Sequence, residues 1–344
     1  MPFQGISIEE VLAHNTSLKK RPKGLVGVFV GGTSGIGEWT FRAFIKHTNS
    51  PRAYLIGRNR PVAEKIISEA LVTNPEAKID FLAADCSLLK EVSRVCEEIK
   101  KREDEMSGGR KGVVNLLVLS QSSSGLGGRS ETPEGLDRKF SLIYHSRLLF
   151  THLLTPFLEN AHSQGHPSRV ISVLLTGRET LLDLQNLDLK TRYSTSTCLT
   201  YATTMTTLSF YHLAKINPGI SYIHTNPGIV KTGMMRYLPW YMRAVSHAGY
   251  VVLSPWRMEV EESGERHLEM GFAERYVSAG DMENSKEGEE VQGIAGQKGA
   301  YALYNKGQEV EKDVVVKMVG DSYAEKIWGH TLKIFDVENA GKTA

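Results

Sequence analysis

Cysteine is scarce in this chain: Cys86, Cys96 and Cys198 are the three it has in 344 residues. They are too few and too scattered for a disulfide framework or a cysteine-rich metal centre, so no metal is expected and a reducing, cytoplasmic setting is. No apolar run approaches the roughly 18 residues that a membrane span requires, so no stable membrane insertion is expected. The N-terminal stretch MPFQGISIEEVLAHNTSLKKRPKG has no long apolar core and carries acids early, unlike a secretory signal. Charge of one sign is also lacking. A formal net charge of +2 favours neither nucleic acid nor an anionic membrane surface as partner. No internal repeat is visible. The remaining composition, 41% hydrophobic and 23% charged, suits a globular protein with a large core.

Against these absences stands a strong alternation. Apolar runs at 25–30, 53–56, 79–83, 113–119, 170–175 and 220–224 are separated by helical periodicity at 38–48, 61–73, 87–103, 134–160 and about 194–215. Such strand–helix alternation predicts an α/β fold with a doubly wound parallel sheet joined by right-handed crossovers. Residues 1–24 read as an N-terminal extension, with a short helix announced by the capping-box spacing Ser7-Ile8-Glu9-Glu10. Residues 25–233 read as a nucleotide-binding Rossmann-type domain, and 234–344 as further elements packed on it. In that last part, the Met-, Tyr- and Trp-rich segment 234–257 reads either as an apolar core segment or as a functional one, a lid over an apolar small-molecule substrate or a membrane-touching patch. The Gly-, Glu- and Lys-rich stretch 278–299 reads as a mobile loop, 300–304 as a strand and 309–334 as one terminal helix.

The nucleotide assignment rests on Val28-Phe29-Val30-Gly31-Gly32-Thr33-Ser34-Gly35-Ile36-Gly37. A buried strand runs into a glycine turn and then a helix. Glycine lets backbone approach a pyrophosphate, and the helix N-terminus offers free N–H groups and partial positive charge. Gly31, Thr33, Ser34, Gly35, Ile36 and Gly37 are therefore cofactor-binding candidates. The second strand ends in Gly57-Arg58, placing a guanidinium where an acid would take the ribose hydroxyl of NAD. A guanidinium fork suits a 2′-phosphate, so NADP is the expected cofactor. Asp85, ending the third strand, could accept from the adenine amino group or cap the helix that begins near Ser87.

With Gly31-x-x-x-Gly35-Ile36-Gly37, Gly57-Arg58, Asp85-Cys86 and Asn226-Pro227-Gly228-Ile229-Val230-Lys231-Thr232-Gly233 in that order, the chain resembles the short-chain dehydrogenase/reductase family. Its texture is similar to reductases of fungal specialised metabolism. The resemblance covers about residues 24–233. It implies that Pro227, Gly228, Val230 and Thr232 form the turn facing the nicotinamide carboxamide. It also implies homodimers or tetramers built through the helices at 134–160 and 194–215. Val30 stands where related proteins often carry Thr.

The family's catalytic Ser, Tyr, Lys and Asn are mostly missing. Its helix Asn corresponds to Ile143 and its Ser to Leu175, with Thr176 the nearest hydroxyl. Tyr193 and Tyr201 both compete for the catalytic position, and neither has a Lys four residues later. The one formal Tyr-x-x-x-Lys, Tyr211 to Lys215, lies too near the Pro-Gly turn to leave room for a helix and a strand. Without a neighbouring cation, a phenol stays near its ordinary pKa of about 10, a weaker proton donor and acceptor at neutrality. Tyr193, Tyr201, Thr176 and His145 are the catalytic candidates, with Tyr144 beside His145 as another group to inspect. Three functions compete. The first is an NADP(H)-dependent oxidoreductase on a bulky apolar carbonyl, alcohol or imine. The second is an isomerase, cyclase or dehydratase on the same scaffold, and the third a catalytically silent NADP-binding protein.

Overall fold

A computed structural model describes residues 5–123, 127–230, 257–284, 291–310 and 312–340. Seven strands form one parallel sheet: β1 (Val26–Val30), β2 (Arg52–Gly57), β3 (Lys78–Ala83), β4 (Leu116–Leu119), β5 (Arg169–Val173), β6 (Ser221–Asn226) and β9 (Ala300–Tyr304). Their order is β3-β2-β1-β4-β5-β6-β9, and every adjacent pair is parallel. This is the doubly wound sheet expected. β1, β4 and β5 are buried along their whole length, which is why β1 and β4 read as apolar runs; in β5 the buried Arg169 and Ser172 interrupt the pattern. A short pair, β7 (Ile229–Val230) with β8 (Arg257–Met258), lies apart from the sheet.

Helices cover both faces. On one face, Val26, Val28 and Val30 meet α4 (Leu89–Met106), α5 (Ser146–Ser163) and α6 (Thr195–Ile216). On the other, Leu25 and Phe29 meet α2 (Gly35–His47), α3 (Arg60–Thr73) and α7 (Val260–Phe272). The alternation along β1 thus divides its side chains between two cores. α5 is preceded by a short turn, Arg138–Phe140, and a π turn, Ser141–His145.

Three features depart from the sequence reading. α7 was not anticipated. Its inner face carries small residues, and Gly264 lies so close to α2 that a Cβ would come 2.5 Å from the Trp39 carbonyl carbon. The N-terminal helix α1 (Ile8–Ser17) docks on α7, with Asn15 buried and donating to the Glu265 carbonyl and carboxylate, both at 2.8 Å. The single terminal helix expected over 309–334 is two, α8 (Asp313–Gly320) and α9 (Tyr323–Ala340), broken where Ser322 adopts φ 58°. The stretch 278–299 contains a 3₁₀ segment, Ala279–Asn284, and a turn at 291–297. Glu309 pins that turn by accepting from the Gln292 and Gly293 amides at 2.9 and 2.7 Å. Residues 285–290, and the suggested lid apart from Arg257, lie outside the described residues.

α9 crosses the outer face of α5 and α6. Trp328 packs against His152 and His212, Phe335 stacks on His152, and Thr331 hydrogen-bonds the buried Tyr144 at 2.7 Å. The face proposed for dimer contact is thereby occupied by the chain's own C-terminal helix.

Candidate functional site

The sheet order reverses between β1 and β4, and in such sheets the crevice at the strands' carboxyl ends takes the ligand. The glycine turn sits there. Gly31 has φ 80°, and a Cβ on it would lie 2.7 Å from the Gln121 nitrogen beyond β4. Its amide and that of Gly32 donate to the Ile56 carbonyl at 3.0 and 3.3 Å, pinning the turn to β2. Gly37 is pressed against Ser120 and the Gly31 carbonyl, leaving no room for a side chain. Thr33 packs over Gly57. α2 starts at Gly35, and its first intrahelical bond runs from Glu38 to the Ser34 carbonyl. The Ser34 side chain does not cap the helix. The amides of Gly35, Ile36 and Gly37 therefore have no intrahelical acceptor, the condition an anion-binding helix start requires.

Arg58 follows β2 as an exposed side chain with no hydrogen bond or ion pair among the described residues. Its charge reaches Asp85. The Asp85 carboxylate accepts from the Ser87 amide at 3.0 Å and hydroxyl at 2.7 Å, and faces Arg138 at 3.3 Å. Burial opposes its ionised form, but the Ser87 bonds and the two arginines outweigh that and hold its pKa below the usual carboxylate value. Asp85 does not cap α4. Glu134 does, accepting from Leu89 and Lys90 at 2.8 and 3.2 Å across 45 and 44 residues of sequence.

The Pro-Gly turn closes the far side. The Asn226 side chain accepts from the Gly228 amide at 3.1 Å and donates to the Thr176 carbonyl at 2.9 Å. Gly228 has φ 70°. Pro227 is partly exposed and Val230 buried in β7; Thr232 lies outside the described residues.

The four catalytic candidates are dispersed. Thr176 is fully buried and its hydroxyl donates to Glu179 at 3.0 Å. Glu179 also accepts from the Gly177 amide at 2.8 Å and from Thr207 at 2.9 Å, and Thr207 meets His224 Nδ1 at 2.8 Å. The Tyr193 phenol donates to Asp137 at 3.0 Å. Burial, the neighbouring Cys198 and that carboxylate all push its pKa upward, so its proton is held rather than offered. Tyr201 differs: its oxygen accepts the Asp183 amide at 3.2 Å, which leaves its own proton free to donate. His145 lies in the π turn between Phe140 and Tyr144, with ring centroids at 5.0 and 5.2 Å. Neither of its nitrogens has a partner among the described residues, and burial lowers its pKa to about 4, so it stays neutral. Tyr144 is shared by Ser209 and Thr331, and burial pushes it to about 12. Lys215 sits 4.9 Å above the centre of the Tyr211 ring, a stacking contact near the distal end of α6.

Sequence reasoning missed Arg147, wholly buried in the first turn of α5, and the Glu179–Thr207–His224 chain. The one available signal for Arg147 was a lone cation amid the apolar Leu148, Leu149 and Phe150.

A parallel sheet of this order with a glycine cradle at its switch point defines a dinucleotide-binding Rossmann protein. No family model matches the chain. It is similar to the oxidoreductase AN1596 of Emericella nidulans, 34% identical over 96% of this chain and 98% of that protein. Oxidoreductase andH of Emericella variicolor is 31% identical over 96% of each chain. The short-chain dehydrogenase/reductase SAT2 of Stachybotrys chartarum is 28% identical over 91% and 92%. The structure of NADPH-bound carbonyl reductase from chicken fatty liver superposes with a TM-score of 0.56 at 15% identity, over 85% of this chain and all of that one. The chain belongs to the short-chain dehydrogenase/reductase family and is an oxidoreductase of that type.

Proposed function

We propose that the chain is an NADP(H)-dependent oxidoreductase acting on a bulky apolar carbonyl, alcohol or imine of fungal specialised metabolism. The observation that carries this reading is the exposed Arg58 at the end of β2, unpaired among the described residues, beside the amides of Gly35 to Gly37 that no side chain caps. Gly31, Thr33, Ser34, Gly35, Ile36 and Gly37 would hold the pyrophosphate, Arg58 the 2′-phosphate, Asp85 the adenine edge, and Pro227, Gly228, Val230 and Thr232 the carboxamide end. Bound NADPH would supply hydride. Tyr201 would supply the proton from its phenol oxygen, positioned by the Asp183 amide. An imine substrate would ask less of the absent serine and lysine, because it is already electrophilic. The apolar character of the substrate is supported by Leu181 and Tyr304, large side chains 53% and 41% exposed. Tyr304 adjoins Gly177, next to Thr176 at the end of β5. Three buried free cysteines fit a reducing, cytoplasmic setting, and no described helix is long and apolar enough to cross a membrane. Since α9 covers α5 and α6, a homodimer would use another face.

The test is NADPH consumption, followed at 340 nm, over a panel of bulky apolar ketones and imines. Turnover with NADPH that is much weaker with NADH supports the proposal, and no absorbance change with any substrate counts against it. A non-redox reaction is the second reading, favoured by the commitment of the Thr176 proton to Glu179. Product formed without NADPH loss would establish it.

A further inference from the structure

We propose that Arg147 is the positioning residue of the nicotinamide half of the site, a buried cation that ties the end of β5 to the loop after β4, where the one lysine of α6, Lys215, lies at the distal end of its helix. This inference rests on the nucleotide-binding reading above. The Arg147 side chain is fully buried. Its Nη1 donates to the Ser172 hydroxyl and the Val173 carbonyl, both at 2.8 Å, and its Nη2 to the Gln121 carbonyl at 2.6 Å. Ser172 and Val173 close β5; Gln121 lies two residues past β4. The backbone of Gln121 is also the surface against which Gly31 packs. One guanidinium therefore spans from β5, through the loop after β4, to the glycine that opens the cofactor cradle.

In a doubly wound sheet the dinucleotide lies across the switch point, one half over the strands on each side. Arg58 marks the adenosine side after β2, so the β4 and β5 ends face the other half. No carboxylate hydrogen-bonds Arg147 among the described residues, and its Nε has no partner there. An unpaired buried charge is costly, and an apolar residue of similar volume would often be more stable, so packing alone does not account for it. Burial pulls its pKa to about 9, which still leaves it charged near neutrality. The surroundings are polar and incompletely satisfied. Gln121 Nε2 donates to Ser146 at 3.0 Å, while Gln121 Oε1 and His224 Nε2 lack partners among the described residues. A fork reaches three acceptors at once, two on β5 and one in the loop after β4; a single ammonium on a shorter reach holds them less rigidly.

The test uses full-length Arg147→Gln and Arg147→Lys, with wild type, titrated by calorimetry against NADPH and against adenosine 2′,5′-bisphosphate. The second ligand carries the adenosine and 2′-phosphate but no nicotinamide. Expected is a loss of NADPH affinity of about 10-fold or more in Arg147→Gln, the scale of one charge-assisted hydrogen bond. The bisphosphate should change by less than about 2-fold, and Arg147→Lys should lie between wild type and Arg147→Gln for NADPH. Unchanged NADPH binding in a folded variant would overturn the proposal. So would equal weakening of both ligands in step with a fall in thermal midpoint, since a merely structural arginine would not discriminate between them. Should Arg147→Gln fail to fold, Arg147→Lys decides alone, with wild-type NADPH binding as the overturning result. Wild type that binds neither ligand would instead sink the nucleotide reading itself.

Discussion

The strands on the two sides of the switch point end in loops of opposite character. After β1 and β2, among the described residues, the first amides of α2 have no intrahelical acceptor and the exposed guanidinium of Arg58 has no partner. After β5 the groups are buried and mutually bonded: Thr176 to Glu179, Glu179 to Thr207, Thr207 to His224. The nucleotide half offers unsatisfied donors to a ligand, whereas the catalytic half has largely satisfied itself. Family membership is therefore carried by the first half, and the chemistry depends on what little of the second half remains available. In the proposed reaction Tyr201 is that remainder, because its oxygen receives a backbone amide and its proton has no acceptor among the described residues.

The sharpest way to break this contrast is Tyr201→Phe. A loss of about 10²-fold or more in turnover is expected, the lower range for general acid catalysis, with NADPH affinity unchanged. Tyr193→Phe should leave turnover near wild type, since that phenol serves Asp137. Steady-state rates on one accepted substrate check both, and the opposite ranking would exchange the two tyrosines. On the other side, Gly31→Val should reduce NADPH affinity by about 100-fold, because φ 80° and the Gln121 backbone leave no space for a branched side chain. Calorimetric titration measures it; retained binding would place the nucleotide elsewhere. Arg58→Ala should cost about 10-fold to 100-fold in NADPH affinity and little in NADH affinity. Equal losses would mean that Arg58 does not read the 2′-phosphate.

The smallest effect concerns the layer bracing the nucleotide half. Burial opposes ionisation of Glu265, but bonds from His47, Asn15 and Lys46 outweigh it and bring its pKa from about 4.5 to about 2. A lowered carboxylate pKa contributes stability that is fully present above pH 4.5 and lost as pH falls toward 2. Thermal midpoints at pH 7, 4 and 3 should therefore fall more steeply in wild type than in Glu265→Gln. Parallel curves would remove Glu265 from the acid response.

Much of this contrast was visible in the order of residues, and some was not. The strands stood out because parallel strands buried on both faces are continuous apolar runs. α7 did not, because its buried residues mix Ser263, Gly264, Arg266, His267 and Glu269 with the apolar Leu268, Met270 and Phe272. Of the two roles open to Asp85, capping α4 falls to Glu134, whose carboxylate accepts the first amides of that helix from a position 45 residues away, where the loop before the π turn folds over. Arg147 gave nearly no signal because its three acceptors are a serine and a backbone carbonyl on β5 and a carbonyl in the loop after β4.

By itself the sequence determined the sheet, the glycine cradle, the placement of Arg58 and the absence of a lysine partner for any well-placed tyrosine. These depend on local periodicity, on the conformational freedom of glycine and on which residue types are present at all. Only the tertiary structure decided which hydroxyls are already spent, that Tyr193 gives its proton to Asp137 while the Tyr201 oxygen accepts an amide, and that one guanidinium joins the end of β5 to the loop after β4. Hydrogen bonds between residues far apart in the chain have no signature along it; they exist once the packing brings donor and acceptor within about 3 Å.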